Sequence, residues 1–152
     1  MMPSTATQLE NVIDNGIDGA SRLLACLGRE RAALETQDAT QLLELAGEKQ
    51  ACLDELEKLE AQRTDLLQQR KLGNDDAGMQ RLLDGTRSAA NWQRYLDLAA
   101  RCQAENQTNG AIIRLRHQQI SAALAVISGE RQSTYGPSGD RPAAQSRALA
   151  QA

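Results

Sequence analysis

Aromatic side chains are almost missing from this 152-residue chain, which has no Phe, one Trp and two Tyr. A platform that stacks nucleic-acid bases needs several such rings, so that kind of partner is a poor fit. An excess of positive charge is missing too: 17 Lys and Arg stand against 20 Asp and Glu, leaving a net charge of −3. A phosphate backbone calls for a clustered basic field, which argues against nucleic acid as an obligate partner. Val, Ile, Thr and aromatics never alternate in a period-two run, so few strands are expected. No apolar run approaches the roughly 20 residues of a membrane span. The opening Met1-Met2-Pro3-Ser4-Thr5 lacks the charged and apolar regions of a signal peptide.

The side chains that usually carry chemistry are sparse. His117 is the single histidine. Cys26, Cys52 and Cys102 are an odd number, each inside an apolar helical pattern. They read as small core residues in a reducing compartment, and a cytoplasmic protein is expected. Their spacing matches no zinc site. No Gly-rich phosphate loop, Gly-x-Ser-x-Gly elbow or His-Glu-x-x-His stretch occurs, and no Glu-x-x-His pair of a di-iron bundle. The expectation is no metal, no cofactor and no enzymatic activity.

What the chain does have is Leu, Ala, Ile and Val at helical spacing. Thr5 with Gln8 has the form of a capping box, which predicts a first helix over about 6–35. Its apolar face is Leu9, Val12, Ile13, Ile17, Leu23, Leu24, Leu27 and Leu34. Gly16, Gly19 and Gly28 weaken it, and close helix packing would account for them. After the break Thr36-Gln37-Asp38, with Asp38 as cap, a second helix is predicted over about 39–71. Its seam reads Leu42, Leu45, Lys49, Cys52, Leu56, Leu59, Arg63 and Leu66. Leu43, Ala46, Leu53 and Leu67 suggest a wider stripe touching more than one neighbour. The short connection makes the two helices antiparallel.

The Gly73–Gly78 break comes next, then a turn or two of helix around Met79, Leu82 and Leu83. A last long helix is predicted over about 86–128, with Gly129 closing it. The fold class is therefore all-α: an antiparallel bundle of three long helices and one short one. Residues 1–129 form the bundle domain and 130–152 a flexible tail. That tail is poor in large apolar groups but carries Tyr135. An aromatic in a segment without a core suits docking, or else does nothing in a solubilising tail. The last third of the final helix is apolar around more than one side, through Ile112, Ile113, Leu115, Ile120, Leu124, Val126 and Ile127. It is either a partner surface or ordinary core and self-association.

Three segments, in order over about residues 20–139, resemble the FlgN family of flagellar export chaperones. The first is Leu27-Gly28-Arg29-Glu30-Arg31-Ala32-Ala33-Leu34, followed by Gln37-Asp38-Ala39 and the Leu-rich helix with Lys49. The second is the polar waist Asn106-Gln107-Thr108-Asn109-Gly110-Ala111-Ile112-Ile113. The third is Ser133-Thr134-Tyr135-Gly136-Pro137-Ser138-Gly139. The resemblance implies a cytoplasmic, non-catalytic helical protein of type III flagellar export. It implies binding to the C-terminal regions of the hook-associated proteins at the hook–filament junction, protection of them from premature assembly, and delivery to the export gate. By that resemblance Ile112, Ile113, Ile120, Leu124 and Ile127 bind the client and Tyr135 docks at the gate. A self-assembling coiled-coil protein, or an adaptor of another secretion system, is the alternative.

Overall fold

The computed structural model describes residues 3–135, with side chains through Gly129. Its elements are α1 (Thr5–Thr36), α2 (Ala39–Gln69), α3 (Asp76–Leu83) and α4 (Ala89–Tyr135), and no strand occurs among the described residues. Prolines stand only at 3, 137 and 142, so nothing in between breaks a helix by ring clash.

Caps set the boundaries. Ser4 rather than Thr5 caps α1, its Oγ accepting from the Thr7 N–H at 3.2 Å. Either hydroxyl could serve, and Thr5 has already turned helical. Gln37 takes a left-handed backbone, φ 57°, which closes α1. Asp38 then caps α2 by accepting from the Gln41 N–H at 3.0 Å. α2 ends at Gln69, two residues before the expected Lys71, where Lys71 turns left-handed at φ 56°. Asp75 caps α3 through the Gly78 N–H at 2.8 Å. The Thr86 hydroxyl donates back to the Leu83 carbonyl at 2.6 Å, so residues 86–88 make a turn and α4 starts at Ala89. Its far end also differs from expectation. The helix passes through Gly129 and its backbone stays helical to Tyr135. A glycine at an expected helix end marks a stop only when it turns left-handed, and Gly129 is not among the positive-φ glycines.

The chain divides into two units, residues 1–106 and residues from 107 onward. In the first, α1 and α2 are antiparallel: Leu9 and Ile13 share a cluster with Leu66 and Leu67, while Cys26 and Ala33 meet Leu45. α3 closes the first cluster with Met79, Leu82 and Leu83. The opening stretch of α4 runs parallel to α1, with Cys102 packed on Leu23 and Leu27. The seam read from the sequence holds throughout α2, since every residue of it is buried or half-buried. Its widening does not hold. Leu67 is buried, but Leu43, Ala46 and Leu53 are exposed, because α1 and α4 both meet α2 along the narrow stripe.

The glycines of α1 split by environment. A Cβ at Gly16 would stand 3.0 Å from the Tyr95 ring, and one at Gly19 3.1 Å from Leu56. Gly28, expected to share this role, meets nothing within 4 Å. Gly28→Ala is therefore expected to stabilise the protein by about 0.5–1 kcal/mol, by restricting the unfolded chain and favouring helix. Gly16→Ala is expected to give no such gain, since the Tyr95 ring must shift. Urea midpoints of the two variants check both outcomes.

Candidate functional site

Two features of the first unit hold the opening stretch of α4, up to Asn106, in place. Lys49, a charged entry in the α2 seam, donates to Asn106 Oδ1 at 2.6 Å and lies 3.5 Å from both Glu30 carboxylate oxygens. Beside it Arg31 pairs with the Glu105 carboxylate and reaches the Glu105 carbonyl at 3.4 Å. Asn106 of the polar waist thus has a definite contact, a bond to α2. Arg63, the other charged seam entry, is buried. It pairs with Glu60, donates to Asn74 Oδ1 at 2.9 Å, and stacks 5.3 Å from the Trp92 ring centroid. Both charges tolerate the seam because each has partners there.

Between these features lies an apolar groove of about 240 Å³ lined by Leu23, Leu27, Leu53, Leu56, Tyr95 and Ala99, among others. The sequence pattern missed it. Leu53 was the signal: an apolar residue off the seam that ends up on a groove wall. Burial pushes the thiols of Cys26 and Cys102 up, as it does the Tyr95 hydroxyl, so these groups stay protonated and serve packing. Among the described residues no three His, Cys, Asp or Glu converge as a metal site. No described helix is long and apolar enough to cross a membrane.

In the second unit Asn109 is buried and Ile112 half-buried. The other residues of the expected client face are exposed: Ile113 by 36%, Ile120 by 52%, Leu124 by 43% and Ile127 by 49%. At about 100° per residue these four share one side of the helix, within roughly 60° of arc. Leu115 and Val126, at 54% and 61% exposure, belong to a second side. The helix thus presents a straight apolar row and a smaller patch away from it. The structure brings Ile113, Ile120, Leu124 and Ile127 together in one row, with Ile112 beside it. Tyr135 stands at the helical end of the described chain, and its side chain lies outside the described residues.

Four helices and no strand among the described residues, with a polar waist followed by an exposed apolar row, fit the family resembled by the sequence. The model of that family, described as FlgN protein, matches residues 1–143. The chain belongs to the FlgN family of flagellar export chaperones. The match extends past the 20–139 over which the segments resemble the family, taking in the N-terminal twenty residues. Comparison with curated proteins and with solved structures returns no match. FlgN is a chaperone family and not an enzymatic one, and membership implies binding of flagellar substrate proteins.

Proposed function

We propose that this FlgN protein holds the C-terminal helices of the hook–filament junction proteins in the cytoplasm and hands them to the export gate. Residues 1–129 act as the chaperone domain and 130–152 as a tail. Ile113, Ile120, Leu124 and Ile127, with Ile112 beside them, are the client face. The observation that carries this reading is the exposed row itself. Four large aliphatic side chains aligned on one side of a helix are a surface that another amphipathic helix can cover. An unassembled client has such a helix to offer. Covering it blocks the contacts it makes in the assembled structure.

Tyr135 is the gate contact. Tethering raises its effective concentration at the gate while the client stays bound, so a weak intrinsic affinity suffices. Hydrogen exchange of the full chain, with and without a junction protein, tests the client face. Protection over residues 112–127 is the expected result; protection elsewhere, with none there, moves the site. Tyr135→Ala is expected to leave client affinity unchanged and to lower secretion of the junction proteins. An equal loss of client affinity would place Tyr135 in the client site instead.

A further inference from the structure

Charge along the chain is segregated. Residues 1–106 hold 18 Asp and Glu against 12 Lys and Arg. From Gln107 to Gly129 there is no acidic residue at all, only Arg114, Arg116 and His117. Among the described residues no carboxylate pairs with Arg114 or Arg116, whereas Arg22, Arg29, Arg31, Lys49 and Arg63 each have one. These two cations stand one and three residues after Ile113, the first residue of the apolar row. Arg114 lies back along the helix, its Nη1 3.4 Å from where a Cβ on Gly110 would stand. Arg116, half-buried, borders the row on the turn between Ile113 and Ile120. The helix is therefore cationic at its Ile113 end and uncharged from Ile120 to Ile127, where Ser121 is the one polar side chain.

We propose that this face selects an acidic amphipathic helix: one with an apolar stripe over Ile120–Ile127 and carboxylates at a single end, paired with Arg114 and Arg116. This rests on the reading of the helix as the client face and names the chemistry of what it takes. The charges fix the direction in which the partner lies, because only one orientation brings its carboxylates to the arginines. A second copy of the same helix is a poor occupant, since between Gln107 and Gly129 it offers these arginines no carboxylate in either direction. An anionic lipid surface is a poor one too, because polybasic lipid-binding segments use about four to eight clustered cations and the stretch from Gln107 to Gly129 has two arginines.

The test uses the full chain and designed 18-residue helical peptides with a Leu/Ala stripe. One carries three Glu at one end, a second carries Gln in their place, and a third carries Lys. The Glu peptide is expected to bind about tenfold tighter than the Gln peptide, as two partly exposed ion pairs allow, and the Lys peptide weakest. Raising the salt is expected to erase the preference. In R114Q/R116Q the Glu and Gln peptides are expected to bind alike, at the affinity of the Gln peptide for the unaltered protein. Equal affinity of the unaltered protein for the Glu and Gln peptides overturns the inference. So does binding to anionic vesicles alone, or a self-associated form that the Glu peptide does not dissociate. If junction-protein C-termini bind but no charge preference appears, this inference falls and the chaperone reading stands. If the Glu preference appears but junction-protein C-termini do not bind, the choice of client is what fails.

Discussion

Leu124→Glu is expected to leave the protein folded and to weaken client binding by a hundredfold or more. Leu124 is 43% exposed, so a carboxylate there reaches water in the free protein. Glu is also a good helix former, and the local helix keeps its propensity. In the proposed complex the same position is covered by an apolar stripe. Burying an unpaired carboxylate costs several kcal/mol unless it takes up a proton, and about 2.7 kcal/mol is already a hundredfold. Leu115→Glu is the matched control. It places the same charge on the other side of the helix, away from the row, and is expected to change affinity by less than about threefold. Calorimetric titration of both variants with a junction-protein C-terminal peptide checks the pair. Equal losses would mean that the client surrounds the helix; unchanged affinity in Leu124→Glu would move the site.

Gly78→Ala is expected to be among the most damaging single methyl additions in the chain. A Cβ on Gly78 would stand 1.8 Å from the Gly73 carbonyl oxygen and 2.9 Å from its carbon. Those are backbone atoms, and no side-chain rotation relieves the overlap. The 73–78 loop has to open, which strains the Asp75 cap on the Gly78 N–H and the Asn74 contact to Arg63. Overpacking and a weakened cap together cost about 3 kcal/mol. α3 carries Met79, Leu82 and Leu83 into the cluster with Leu9, Ile13, Leu66 and Leu67, so the cost falls on the folded core of residues 1–106. A fall in Tm of about 10 °C by circular dichroism is expected. A Tm within about 2 °C of the unaltered protein would contradict it.

Gly73 to Gly78 was legible as a break, yet not as a place where backbone meets backbone. Composition and spacing mark a loop, but only coordinates show which carbonyl fills the space of a missing side chain. The α2 seam was legible down to its two charged entries, because a single stripe meeting two neighbours leaves a period-3.5 imprint. Leu43 misled for a physical reason. An exposed Leu costs little, and an isolated one carries no information about neighbours. Gly129 misled because a helix can run through glycine when nothing forces a left-handed turn there. The row at Ile113, Ile120, Leu124 and Ile127 was visible as an excess of apolar residues. Its exposure was not, since the same periodicity describes a buried face. The free state of Arg114 and Arg116 was equally hidden, because pairing depends on which carboxylates the fold brings near.

The central claim is that the exposed row on α4 binds the C-terminal helices of the hook–filament junction proteins. Its most direct test is calorimetry of the full chain with those C-terminal peptides, beside a flagellin C-terminal peptide of the same length. The account predicts micromolar or tighter binding to the junction peptides and far weaker binding to the flagellin one. A folded protein that binds none of them would contradict it, and would bring self-association through the same row to the front.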